Sequence, residues 1–206
     1  MKLTGVTEET LWKNIIAGDQ QSFRLLYEAA ADMLYAYGLR YSSDKEMIRD
    51  CIHDLFTDLY IQRHNLAPTV NIRFYLLASF RRRLHTAGKK SARVLLQEDM
   101  SAAETSFQVV FDATDVQSLL IAGEEQRALL QQLAAEMNKL PARQKEILYL
   151  KYNCELDYDQ IAGLMSISVP TCRTLAYRAI RQLRQEFMVS AAPVFGCLLL
   201  SCLKNF

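Results

Sequence analysis

Glycine and proline are scarce in this chain, with 7 and 4 in 206 residues. β-branched runs are few as well, so the composition argues against a β-rich fold and for an all-α one. Excess charge of either sign is missing: 24 Lys and Arg stand against 23 Asp and Glu, a formal net of +1. The total therefore does not announce a polyanion partner, and only segregation of charge along the chain can do so. The 5 cysteines (Cys51, Cys154, Cys172, Cys197 and Cys202) are odd in number and include no C-x-x-C pair. They read as reduced thiols of a cytoplasmic protein, neither a disulfide framework nor a zinc site. The amino terminus, MKLTGVTEETLWKN, lacks the apolar run of a secretion signal. The apolar stretch Val194 to Leu203 is too short to span a bilayer, which takes about 20 residues. No Ser-His-Asp or Cys-His arrangement and no glycine-rich phosphate loop is evident. No enzyme activity, metal, cofactor or small-molecule substrate is expected.

What is present is helical period, broken once. Leu11 to Ala17 forms a short amphipathic stretch that Gly18-Asp19 ends. Phe23, Leu26, Tyr27, Ala30, Met33, Leu34 and Tyr37 then line one face of a longer helix stopped at Gly38. After Ser42-Ser43-Asp44 a third helix runs to about Arg63, with Met47, Ile48, Cys51, Ile52, Leu55, Phe56 and Leu59 inward. Asn65 to Asn71 is a loop, and a fourth helix runs from Ile72 to near Gly88. Between Lys89 and Gly123 the pattern weakens into a flexible linker whose apolar patch is Val109-Val110-Phe111. The period returns with Leu129, Leu130, Leu133, Met137 and Leu140. The expected fold is two small helical domains, 1–88 and 124–187, joined by the 89–123 linker and followed by an apolar tail, 188–206.

The most informative stretch is LPARQKEILYLKYNCELDYDQIAGLMSISVPTCRTLAYRAIRQLR. Asp157 can cap a short helix whose inward residues are Ile161, Leu164 and Met165. Ser166-Ile167-Ser168 breaks it, and Ser168 is a good cap for a second helix with Pro170 in its first turn. On that helix Val169, Cys172, Ala176, Ala179 and Leu183 share one face. The opposite face carries Thr171, Thr174, Tyr177, Arg178, Arg181 and Arg184, with Arg173 at its edge. A small apolar inner stripe under a Thr/Tyr/Arg outer stripe suits a helix that enters the DNA major groove, where Arg reads guanine or phosphate.

Two stretches of the first domain hold the segregated charge. Glu46, Asp50, Asp54 and Asp58 stand at successive i+4 positions, an acidic ridge. Like charges at that spacing oppose the helix by about 0.2–0.5 kcal/mol per pair, so the ridge points to a basic protein partner. In FRRRLHTAGKKSAR, Arg81, Arg82, Arg83, Lys89, Lys90 and Arg93 concentrate positive charge suited to phosphates.

Taken together, these blocks resemble a bacterial RNA polymerase sigma factor of the extracytoplasmic-function group. GDQQSFRLLYEAAADMLYAYGLRYSSDKEMIRDCIHDLFTDLY is similar to that family's first block and its core-polymerase-binding helix. NIRFYLLASFRRRLHTAGKK is similar to the helix that handles the −10 element, and the helix-turn-helix stretch resembles the domain that reads the −35 element. The resemblance implies that Glu46, Asp50, Asp54, Leu55 and Asp58 dock on the polymerase clamp. It places His64, Asn65, Arg81, Arg82, Arg83 and Lys89 at the −10 element, and Thr171, Arg173, Thr174, Tyr177, Arg178 and Arg181 at the −35 element. Tyr75-Leu76 stands where many members have Trp-Leu, and the Arg triplet stands where an Asn is common. Leu175 replaces a basic residue. Triplet and Leu175 resemble the iron-citrate-type branch, which implies a membrane-anchored anti-sigma protein beside core RNA polymerase and promoter DNA as partners. On this resemblance the tail either completes the second domain's core or offers that inhibitor a grip.

Two rival readings follow from parts of the chain. A stand-alone helix-turn-helix regulator with a sensing or dimerising first domain would need neither the acidic ridge nor the basic helix end. A metal-dependent phosphohydrolase is prompted by His53-Asp54, but only His64 and His85 remain as further histidines.

Overall fold

The computed structural model describes the backbone of residues 7–95 and 124–187, and side chains over 7–88 and 131–185. The described residues are helical, without a strand, and the chain divides into two compact units, 1–106 and 107–206.

In the first unit each helix start has a side chain to satisfy its free N–H groups. Thr7 caps α1 (Glu8–Ala17), accepting from the Thr10 N–H at 3.3 Å. Gly18 closes α1 with φ +93°, a left-handed turn that glycine adopts without strain. Asp19 at once caps α2 (Gln20–Gly38), accepting from the Ser22 N–H at 2.8 Å. Asp44 caps α3 (Lys45–Ile61) through two N–H groups, of Glu46 and Met47. A 3-10 turn, Arg63–Asn65, follows, and Asn71 accepts from the Phe74 N–H at 2.8 Å to start α4 (Ile72–Leu95). The fourth helix runs on through Gly88 to Leu95, past the end expected from the glycine and into the segment expected as linker.

The core of this unit lies where α3 packs on both α2 and α4, with α1 closing one side. Leu26, Leu34, Ile48, Leu59, Ile72, Leu76 and Phe80 are fully or nearly fully buried. Trp12 is 1 % exposed and donates its indole N–H to the Ala67 carbonyl at 2.8 Å, with Tyr75 edge-on at 5.5 Å. One α1 side chain thereby pins the loop between α3 and α4. Tyr27, expected to face inward, is 43 % exposed, although its ring still meets Phe56 at 4.8 Å.

α2 stops at Gly38, as expected, and the glycine has a packing role as well. It is not in a left-handed turn; it is a point where α2 lies close against side chains of α3 and α4. A Cβ there would lie 2.7 Å from Ile48 Cγ2 and 3.2 Å from Phe80 Cζ, and both side chains are fully buried. Gly38→Ala gains about 1 kcal/mol of helix propensity but costs about 1–3 kcal/mol in overpacking. A net loss of up to about 2 kcal/mol is expected, read as a lower urea midpoint at unchanged m-value. An unchanged midpoint would show that the contact can relax.

The second unit contains α5 (Glu124–Lys139), α6 (Ala142–Tyr152), α7 (Tyr158–Met165) and α8 (Val169–Phe187). Leu133, Met137 and Leu140 are buried as the period predicts. In α6 five consecutive residues, Glu146 to Leu150, are buried, so this helix is covered all round rather than along one stripe. It packs against α7 and α8, while α5 also touches α8.

Cys51, Cys154 and Cys172 are buried free thiols. Burial pushes the Cys51 thiol pKa up, helped by Asp54, and burial does the same at Cys172 against the opposing pull of Lys151 and Arg173. Among the described residues no helix is long and apolar enough to cross a membrane. Val109 to Phe111, Cys197, Cys202 and the apolar tail lie outside the described residues.

Candidate nucleic-acid interface

The turn between α7 and α8 is built by local hydrogen bonding. Asp157 and Gln160 form a reciprocal cap at the start of α7: the Gln160 N–H reaches Asp157 at 2.8 Å, and the Asp157 N–H reaches Gln160 at 3.1 Å. Ser166, at φ 57°, takes the left-handed conformation that stops α7. Ser168 then accepts from the Thr171 N–H at 3.2 Å to start α8, and the Thr174 hydroxyl donates to the Pro170 carbonyl at 2.8 Å.

The two faces of α8 separate as the spacing predicts. Cys172, Ala176, Ala179 and Leu183 are buried, at 0 to 2 % exposure. Three of these four are small, which lets α8 sit close on α6 and α7. Thr171, Arg173, Thr174, Tyr177, Arg178, Arg181 and Arg184 are exposed. Tyr177 is 64 % exposed, a large aromatic ring left in water between arginines on a helix that has buried everything else apolar it can. Val169 and Leu175 are half-buried at the seam.

A second feature was missed by sequence reasoning. Tyr158, the first residue of α7, holds two cations on its ring: Lys151 Nζ at 4.9 Å from the centroid and Arg173 Cζ at 5.9 Å. Lys151 Nζ also donates to the Leu156 carbonyl at 3.3 Å, tying the end of α6 to the α6–α7 connection. Burial pushes the Tyr152 hydroxyl pKa up beside this cluster, with Tyr158 adding to the effect and Arg184 opposing it. The three elements meet only in the fold, and the only signal in the sequence was an aromatic residue directly after a capping aspartate.

On the first unit the acidic ridge is a real surface, but not an unbroken one. Glu46 pairs with Arg49 one turn on, and Asp58 pairs with Arg83 across from α4. Asp50 and Asp54, in the middle, are exposed, Asp54 at 68 % of its side chain. Asp54, Asp58, Arg82 and Arg83 line one open groove between α3 and α4, so the fold brings together the acidic and basic stretches that the sequence keeps apart.

The family Sigma-70, region 4, matches residues 130–183. The match falls within the second unit and covers its α6, α7 and most of α5 and α8, so that this unit is similar to a sigma-70 region 4 domain. Among the solved structures that share the fold are two complexes. The first is CnrH in complex with the cytosolic domain of CnrY: TM-score 0.55, 14 % identity, covering 89 % of this chain and 99 % of that one. The second is the sigma factor RpoE in complex with the anti-sigma factor NepR from Bartonella quintana: TM-score 0.53, 16 % identity, covering 83 % and 99 %. At such identities the likeness is one of fold. No curated protein sequence matches the chain.

Several expected contact residues fall elsewhere than the sequence suggested. Leu55, expected at the polymerase surface, is 2 % exposed and belongs to the core; it fixes the ridge from below and has no surface to offer a partner. The Arg triplet is not one patch. Successive helical residues are about 100° apart, so Arg81 turns to Tyr41, donating to its hydroxyl at 2.9 Å, and Arg83 turns to Asp58. Arg82 remains on the exposed face, near Ser79. His64 and Asn65 are exposed on the 3-10 turn, which α1 and α3 hold. Lys89 lies on α4, its side chain outside the described residues. His53, His64 and His85 stand on three different elements, and among the described residues no group of three or more His, Cys, Asp or Glu is placed to hold a metal.

Proposed function

We propose that the protein is a sigma factor of the extracytoplasmic-function type, which joins core RNA polymerase and directs initiation at promoters with paired −10 and −35 elements. The observation that carries this reading is α8: a Thr/Tyr/Arg face left wholly in water over a seat of small buried residues, inside a sigma-70 region 4 domain. A helix so mounted fits the major groove, and its arginines supply both base and phosphate contacts. The first unit, through the end of α4 at Leu95, acts as the polymerase- and −10-binding part, and 124–187 as the −35-binding part. Asp50 and Asp54 meet basic residues of the polymerase, while His64, Asn65 and Arg82 serve the −10 element. The protein supplies recognition and no chemistry of its own; bond formation belongs to the polymerase, in the cytoplasm.

One structure that shares the fold holds the sigma factor RpoE with the anti-sigma factor NepR, and another holds CnrH with the cytosolic domain of CnrY, which supports a protein partner of the anti-sigma kind here too. That this partner is membrane-anchored, and that the chain sits in the iron-citrate-type branch, rests on Arg81-Arg82-Arg83 and Leu175. The stand-alone regulator is less favoured because an exposed Asp50–Asp54 surface has no use in it. Run-off transcription with core polymerase on genomic fragments tests the reading. Discrete transcripts that require the added protein are expected; sequence-specific DNA binding without any gain of polymerase-dependent transcript would favour the regulator.

A further inference from the structure

We propose that Tyr158 is a positioning residue for Arg173, setting how sharply α8 discriminates at one base pair; this rests on the reading of α8 as the −35-reading helix. Arg173 sits at the fifth position of α8, in the N-terminal part that reaches base edges when such a helix enters the groove. An exposed arginine samples many rotamers, and a bidentate base contact freezes all of them, so a surface that narrows the choice beforehand sharpens recognition. The Tyr158 ring is that surface, with the Arg173 guanidinium carbon 5.9 Å from its centroid.

The ring is itself held. Tyr158 is half-buried and follows Asp157, whose reciprocal cap with Gln160 fixes the first turn of α7. Lys151 approaches the same ring at 4.9 Å and is anchored to the Leu156 carbonyl. Parts of α6, α7 and α8 thus converge on one aromatic ring, and the cation with freedom left to reach outward is Arg173, whose residue is exposed while Lys151 is half-buried.

The plain alternative is that Tyr158 only packs the corner between α6 and α7. A double-mutant cycle separates the two, using the full chain with core polymerase and a promoter library varied through the −35 element. Tyr158→Leu is expected to lower discrimination about two- to five-fold, the worth of an exposed cation–ring contact, at the position that Arg173→Ala also relaxes. Tyr158→Phe should retain that discrimination. The pair Tyr158→Leu with Arg173→Ala should be no worse than Arg173→Ala alone. A uniform loss over all sequences that adds to the Arg173→Ala loss, with a lower melting temperature, would overturn the proposal in favour of packing. A uniform loss in Tyr158→Phe would overturn it in favour of a hydroxyl–phosphate contact. Wild-type protein without any −35 preference would sink the reading of α8, and the proposal with it, in the control lane alone.

Discussion

Changing Asp50 and Asp54 together to lysine is expected to cost about 3–5 kcal/mol of affinity for core polymerase, roughly two to three and a half powers of ten. The two carboxylates are the exposed middle of the α3 ridge, and the described ion pairs of the outer rungs, Glu46 with Arg49 and Asp58 with Arg83, leave them the surface on offer. Reversal replaces attraction to a basic partner by repulsion, which is the costly direction at a complementary interface. Stability should move the other way. Lysine at 50 gains Glu46 as an i−4 partner and lysine at 54 gains Asp58 at i+4, each worth about 0.2–0.5 kcal/mol where like charges stood before. A pull-down titration and a thermal melt therefore give opposite signs on one variant. Unchanged polymerase affinity in a protein that melts no lower would remove Asp50 and Asp54 from the interface.

That surface also shows what the sequence could and could not convey. Spacing at i+4 is a property of one helix, so the ridge on α3 and the two faces of α8 were legible residue by residue. So were the caps: Asp157 and Ser168 act within three residues of themselves. Pairings between helices were not legible. Asp58 and Arg83 are 25 residues apart, and no periodicity within α3 or α4 announces that one will satisfy the other. The Arg triplet looked like a single cationic patch because it is contiguous, whereas contiguity on a helix spreads side chains around it.

The glycines were only partly legible, for a related reason. Gly38 was read as a stop and α2 does end there, but the glycine also lets α2 approach Ile48 and Phe80, which no local pattern announces. Gly88 was also read as a stop, yet α4 continues through it, and a Cβ there would meet nothing within 4 Å. A glycine inside a helix costs only about 1 kcal/mol, which neighbours of good helix propensity can carry. Leu55 was placed at the surface by resemblance while its own period put it inside, and the period was right: it is 2 % exposed. Where local pattern and analogy disagreed, burial followed the pattern, because the apolar face must go inward whatever the partner.

The recognition helix carries the second large effect. Arg173→Ala and Arg178→Ala are each expected to cut promoter-dependent transcription, and to do so in distinguishable ways. Arg173 lies near the start of α8 beside Tyr158, where a helix in the groove meets base edges; Arg178 lies more than a turn further on, exposed beyond Tyr177. A base-reading arginine is worth about 1–3 kcal/mol against the wrong base, so Arg173→Ala should relax preference at a single −35 position and leave the others intact. A phosphate-binding arginine carries no sequence information. Arg178→Ala should therefore weaken all −35 variants alike and reduce the slope of log affinity against log salt by about 0.9. The measurement is holoenzyme binding over a −35 library at several salt concentrations. Arg178→Ala relaxing one position while Arg173→Ala flattens the salt dependence would invert the orientation of α8 in the groove, and wild-type behaviour from both would take this face of α8 out of contact with DNA.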